Sequence, residues 1–221
     1  MCGRYSLSSD GEALVEEFGV NDLAAWSPRF NIAPSQAVLV LVRNGEALEA
    51  TSFYWGLVPA WAKDRKMQSR LINARAESVA EKPSFRSAFR RRRCLVLANG
   101  YYEWVKRNNE KQPYYIHLQS RRPFAFAGLW EKWLDENGTP YLSCSIITCA
   151  ANERLTALHQ RMPVVLPKST HATWLQSETD SQTLIDLLKP AANDAFNAIA
   201  VSRFVNAPNH EGPDCIKPLQ S

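Results

Sequence analysis

Ala37-Val38-Leu39-Val40-Leu41-Val42 is an unbroken apolar run of strand length, and Asn44-Gly45 behind it is a dipeptide suited to a tight hairpin. A second strand is expected to follow over 51–55. The same grammar recurs along the chain, with strands predicted over 94–98, 101–105, 114–118, 124–129, 141–148 and 196–201. Asn99-Gly100 reads as a tight turn between two of them, which sets Glu103 just past it, and a polar turn is expected over 108–112. The predicted helices are short. One covers 12–18, with N-caps on offer at Ser8, Ser9 and Asp10 and Gly19 to end it. Another covers 83–93 and ends in the four consecutive arginines 90–93, where the helix dipole favours cations. Three more run from Asn152 to about 158, over 170–175, and over 182–188 before Pro190. With 221 residues, 45% of them hydrophobic, the chain can bury a substantial core, and it has no linker that would divide it. The expectation is an α+β fold, a single compact β-rich domain over 1–221 built of short antiparallel strands and hairpins with peripheral helices.

Several function classes fall away at this stage. No window reaches the roughly 18 consecutive apolar residues of a membrane helix, and the start lacks a basic region followed by an apolar run. The five cysteines include no CxxC pair, a pattern that suggests reduced thiols in a cytosol. His117, His159, His171 and His210 are too dispersed for a zinc motif, so neither a metal nor another cofactor is expected. A net charge of +4 permits a polyanionic partner without demanding one.

Met1-Cys2-Gly3-Arg4 carries the distinctive chemistry. Loss of Met1, common before a small residue, would leave Cys2 with two nucleophiles on adjacent carbons. Their unperturbed pKa values are about 8.5 for the thiol and about 7.7 to 8.0 for the α-amine. A lysine near 10.4 is neutral to only about one part in a thousand at pH 7, so Cys2 would hold the most available amine in the chain. A small apolar residue opening an edge strand would need none of this.

Further segments join that one: Arg29-Phe30-Asn31-Ile32-Ala33-Pro34, Trp55-Gly56-Leu57-Val58-Pro59, Leu71-Ile72-Asn73-Ala74-Arg75-Ala76-Glu77, Asn99-Gly100-Tyr101-Tyr102-Glu103-Trp104 and Leu158-His159-Gln160-Arg161-Met162-Pro163. In this order, and over nearly the whole chain, they resemble the SOS response-associated peptidase (SRAP) family of abasic-site DNA-protein cross-linking proteins. The resemblance implies a compact β-rich domain with flanking helices. It also implies capture of abasic sites in single-stranded DNA, with Cys2 as nucleophile and Asn73, Glu103 and His159 as its partners.

The chemistry can be written independently. An abasic deoxyribose opens to an aldehyde, which a 1,2-aminothiol attacks by amine to give an imine and then by thiol to close a thiazolidine. Glu103, flanked by Tyr101, Tyr102 and Trp104, is the candidate acid for the dehydration step if those rings desolvate it; a neighbouring arginine would instead lower its pKa. Asn73 would orient Cys2 or the sugar, and His159 would shuttle a proton or hold a phosphate. Arg4, Arg75 and Arg161 are the expected phosphate contacts, with Trp55 and Trp61 supporting or wedging bases. The arginine run 90–93 reads more readily as a solvated face. The expected protein is a cytoplasmic monomer, associated with the nucleoid when on DNA, with strand-cleaving lyase activity and self-removal of Met1 as further possibilities. Two rivals stand: an N-terminal-nucleophile cysteine peptidase or amidohydrolase, and a plain single-strand-binding module in which Cys2 is incidental.

Overall fold

Closure of the fold rests on one long strand, β10 (Pro140–Ala150), in a computed structural model that describes residues 2–21, 23, 25–107 and 110–219. Numbered in chain order, the other strands are β1 (Tyr5–Leu7), β2 (Arg29–Ile32), β3 (Ala37–Asn44), β4 (Ala47–Trp55), β5 (Asn73–Arg75), β6 (Arg93–Ala98), β7 (Gly100–Arg107), β8 (Glu110–Leu118), β9 (Phe124–Leu134), β11 (Arg161–Pro163), β12 (Val165–Leu166) and β13 (Phe196–Ala200). β10 pairs antiparallel with β9 from Pro140↔Leu134 to Ile146↔Gly128, and parallel with β4 at Ser143↔Tyr54 and Cys144↔Trp55. β4 pairs with β3, β3 with β6, and β6 with β9, so the ring of β10, β4, β3, β6 and β9 closes on itself. Closure removes the exposed edges that an open sheet must protect. β5 and β11 attach to the end of β10 that leads to Ala150, and β12 attaches to β9.

The remaining strands form a five-stranded sheet in the order β13-β8-β7-β1-β2. One face packs on the barrel. The Tyr5 ring meets Trp55 edge-on at 5.3 Å and Phe126 at 5.8 Å, and Tyr101 meets Phe126 at 6.2 Å. Each such pair adds roughly 0.5–1.5 kcal/mol beyond its buried area. The other face carries Tyr102 and Tyr115, which pack with Val201, Val205 and Cys215 of the C-terminal segment. Short helices lie outside: α1 (Gly11–Phe18), α2 (Arg86–Arg91), α3 (Glu153–Thr156), α4 (His171–Leu175) and α5 (Ser181–Asp186). α1 follows its expected caps, with the Asp10 carboxylate accepting the Ala13 N–H and Gly19 closing the helix at φ 66°. The architecture is α+β and β-rich, and among the described residues no helix is long and apolar enough to cross a membrane.

Two sequence expectations are corrected. Asn44-Gly45 does turn β3 into β4, with Gly45 at φ 62°, but Asn99-Gly100 makes no hairpin. β6 and β7 on either side of it belong to different sheets. Asn99 instead ties the crossing to the chain start, its Oδ1 accepting the N–H groups of Ser8 and Ser9 at 2.8 and 2.9 Å. Gly100 is needed for close approach, because a Cβ there would lie 2.4 Å from the Tyr115 ring. The arginine run is likewise split. Arg90 and Arg91 are exposed at the end of α2, whereas Arg93 is buried in β6 and donates to the carbonyls of Phe89, Arg90, Trp174 and Gln176. Its cation thus serves the ends of two helices rather than solvent. Of the turn expected over 108–112, Asn108 and Asn109 lie outside the described residues, as does Met1.

Candidate active site

Neighbouring residues of a strand face opposite sides, so on β7 Tyr101 and Glu103 turn toward the barrel while Tyr102 and Trp104 turn toward the C-terminal segment. Glu103 is only 5% exposed. The chain start is laid beside it. β1 pairs with β7 at Tyr5↔Tyr101, and the Tyr102 N–H donates to the Arg4 carbonyl at 2.9 Å, so the residues before Arg4 continue past Glu103 in the antiparallel direction. Cys2 is fully buried there. Burial first, and the Glu103 charge second, push its thiol far above the ordinary thiol range. Burial also raises the Glu103 carboxyl above the usual carboxylate range, against the opposing pull of His159.

The barrel supplies the other two groups. β5 is held on β10 by the Ile146↔Asn73 register, and the Asn73 Nδ2–H donates to the Cys2 carbonyl at 2.7 Å. That bond fixes the orientation of the amide, and Asn73 Oδ1 is left buried with no hydrogen-bond partner among the described residues. His159 follows α3, whose Asn152 cap accepts the Leu155 N–H at 3.0 Å. The His159 N–H bonds the Leu155 carbonyl at 3.0 Å, and its Nδ1 accepts the Arg161 N–H at 2.9 Å. A neutral ring with Nδ1 so used carries its proton on Nε2. Cys2, Asn73, Glu103 and His159 therefore gather at the seam between barrel and sheet.

The five residues expected to meet DNA are dispersed. Arg75 is exposed and shares a side of β5 with Asn73. Arg161 sits across the end of β10, bonded at 2.7 and 3.0 Å to both carboxylate oxygens of Glu77 and at 2.5 Å to the Thr148 carbonyl. The Arg161 bonds hold the Glu77 carboxyl below its ordinary range. Arg4 points to the far face of the sheet, where it donates to Asn31 Oδ1 at 2.7 Å and to the Val205 carbonyl at 3.1 Å and lies 5.8 Å from the Trp104 ring centre. Trp61 is 59% exposed, but Trp55 is fully buried, with its indole N–H on the Ile72 carbonyl at 2.9 Å. A base cannot stack on Trp55, which is a core residue.

Sequence reasoning assigned no role to Glu77, Thr148 or Asn31. Asn31, fully buried, accepts from Arg4 and donates to the carbonyls of Val205, Ala207 and His210 at 3.2, 3.0 and 2.8 Å. Glu77 and Asn31 lay within recognised segments, whereas nothing local marked Thr148. Among the described residues, no group of three or more His, Cys, Asp or Glu side chains is placed to hold a metal ion.

Fold and site together define a small β-barrel protein in which a cysteine next to the amino terminus is set against a buried carboxyl. Residues 1–208 match the family described as SOS response associated peptidase, SRAP, and the chain belongs to that family. It is 40% identical over 222 residues to the abasic site processing protein YoqW of Bacillus subtilis (strain 168), with 98% of this chain and 99% of that one covered. It is 31% identical to the abasic site processing protein HMCES of Gallus gallus, covering 100% of this chain and 78% of the relative. A crystal structure of a Bacteroides thetaiotaomicron protein superimposes with a TM-score of 0.90 at 26% identity, covering 99% of this chain and 100% of that one.

Proposed function

We propose that the protein processes abasic sites in single-stranded DNA by forming a covalent thiazolidine cross-link through Cys2 once Met1 has been removed. The observation that carries this reading is the buried Glu103 carboxyl beside Cys2, with Asn73 gripping the Cys2 carbonyl at 2.7 Å. The free α-amine adds to the C1′ aldehyde of the opened sugar, forming a C–N bond and a carbinolamine. Glu103, whose burial favours its acid form, gives a proton to the departing hydroxyl, and water leaves as the imine forms, the nitrogen's proton returning to the carboxylate. The Cys2 thiol then adds to the imine carbon, its proton passing to the nitrogen. The sum is aldehyde plus aminothiol giving thiazolidine plus one water.

Order matters here. A thiol held protonated by burial is a poor first nucleophile, which favours amine-first attack and disfavours direct thiol attack on a peptide. Ring closure is intramolecular, and good orientation can be worth an effective molarity of order 10⁵ M or more. The imine is also the species from which strand cleavage would proceed, and thiol closure diverts it. Asn73 Oδ1, buried without a partner, is suited to accept a hydrogen bond from the amine or a sugar hydroxyl. His159 is suited to move a proton as the sugar opens. Exposed Arg75 and Trp61 are the best-placed expected DNA contacts, and the chain is taken to act as a monomer.

Cys2→Ser is the test. Intact mass of the wild-type protein should show loss of Met1 and, with abasic single-stranded DNA, gain of the oligonucleotide mass less water. The serine variant should give no lasting adduct, yet borohydride should trap its imine on a denaturing gel. If a folded, DNA-binding serine variant lacking Met1 gives no band with or without borohydride, the α-amine is not the first nucleophile.

A further inference from the structure

An aromatic stack on the outside of the barrel is left unused by that chemistry. Tyr54 of β4 points outward between buried Phe53 and Trp55 and is 43% exposed. Its ring lies parallel to that of Tyr141 on β10, at 4.6 Å between centroids and 4° between planes. Arg65 lies over the Tyr141 ring at 4.9 Å, and Gln68 Nε2–H donates to Tyr141 Oη at 2.8 Å, so the pair is held in place. With Tyr54 on one side of the Tyr141 ring and Arg65 over it, Tyr54 is the exposed ring of the pair.

Segment 61–70 beside the stack carries more cations than carboxylates. Arg65 opens a 3-10 turn, Arg65–Arg70, capped by Asp64, whose carboxylate accepts the Lys66 N–H at 2.9 Å and pairs with the Lys66 ammonium at 3.3 Å. Asp64 is the single carboxylate of segment 61–70, and it is taken. Among the described residues Lys63, Arg65 and Arg70 form no ion pair. A groove of about 510 Å³ beside the stack is lined by Lys63 and Arg65, by Trp133 and Tyr141, and by the carboxylates Asp64, Asp135 and Glu136. Asp135 is engaged there by the N–H groups of Asn137 and Thr139.

We propose that Tyr54, Tyr141 and Arg65 form a second DNA contact, a platform on which an unpaired base of the strand stacks away from the lesion while Lys63 and Arg70 meet its phosphates. Planar rings beside cations that form no ion pair among the described residues suit a chain of planar bases joined by anions, and stacking tolerates any sequence. The inference rests on the reading that the substrate is single-stranded DNA. Tyr141 lies seven residues before Thr148, the β10 residue opposite Arg75, a separation of about 23 Å along the strand. Only a strand extending several nucleotides from the abasic site reaches both.

The experiment measures affinity by fluorescence anisotropy for undamaged single strands of about 4 and about 16 nucleotides, the ends of the usual site-size range. It compares wild type, the double variant Tyr54→Ala/Tyr141→Ala and the conservative Tyr54→Phe. The double variant should bind the long strand about 5- to 100-fold more weakly, with short-strand affinity and cross-linking to a short abasic strand unchanged. Tyr54→Phe should match wild type on both strands. Unchanged long-strand affinity in the double variant, or equal loss on both lengths, overturns the platform. Failure of the underlying reading shows elsewhere, as a wild-type protein that forms no cross-link with the short abasic strand.

Discussion

The two faces of β7 set their buried polar groups to different uses. On the face turned to the C-terminal segment the side chains of β7 and its neighbour are tied down: Tyr102 Oη donates to the Phe30 carbonyl at 2.6 Å, Trp104 Nε1 to Asn206 at 2.7 Å, and Arg4 to Asn31 and Val205, with Arg4 Nε the atom left over among the described residues. On the face turned to the barrel, a raised carboxyl lies beside a protonated thiol, and an amide oxygen is buried without a partner. A satisfied network fixes one conformation, whereas unsatisfied polarity costs stability and persists where a reactant will use it. One strand therefore serves as a structural tie on one side and, in the proposed chemistry, as a reactive wall on the other, with a one-residue alternation dividing the roles.

The sharpest way to break this comparison is Glu103→Gln. Cross-linking should slow by roughly 10²-fold or more, the scale of a lost general acid, with thermal stability retained. Because burial raises the Glu103 pKa, the wild-type rate should fall as pH rises through the folded value, where the acid form is lost, and the glutamine variant should lack that limb. Single-turnover rates against pH read both effects. A variant that loses stability and rate together would put Glu103 on the structural side.

Asn31→Ala tests the opposite face. It leaves the half-buried Arg4 without its side-chain acceptor and takes one donor from each of three carbonyls, of which Val205 keeps Arg4 and Ala207 keeps the His210 N–H, and it should lower unfolding free energy by roughly 2 kcal/mol. Denaturant melts measure the loss, and cross-linking by the remaining folded protein should be unchanged. A selective fall in rate would show that the two faces are coupled. Arg75→Ala gives the smallest effect. It should flatten the salt dependence of single-strand binding by about 0.7 in log–log slope, whereas Arg4→Met, already committed inside the sheet, should leave the slope alone. Equal changes for both arginines would erase the division.

Legibility from the sequence followed the range of the interactions. The β3–β4 hairpin was readable because an apolar run and Asn44-Gly45 are adjacent, and α1 because its caps are. Closure of the barrel was not, since it depends on Cys144 of β10 meeting Trp55 of β4, far apart in the chain. Asn99-Gly100 carried a true glycine requirement with a false cause: the clash lies with a ring on β8, not in a turn. The candidate residues Cys2, Asn73, Glu103 and His159 came from a resemblance, and their meeting could not be deduced from spacing. Arg4 was misread because a residue's facing flips with each step along a strand, and sequence alone did not fix that register. Arg161 was visible as a cation but not as the partner of Glu77.

The chain start does not trail from the fold but runs as β1 between β7 and β2, inside a sheet. During synthesis those residues emerge first and are seated late, since Tyr101 must exist before Tyr5 can pair and the Ile146 register must exist before Asn73 can reach Cys2. At about 5–20 residues per second, the aminothiol of the proposed chemistry would stand unsheltered for roughly 7 to 30 s on each nascent chain. Ribosome-stalled chains ending before β10 should therefore alkylate readily at Cys2, and the released protein slowly. On the proposed chemistry, reactivity toward stray aldehydes is then a hazard of birth, and the finished fold would confine it to substrates that can reach the seam.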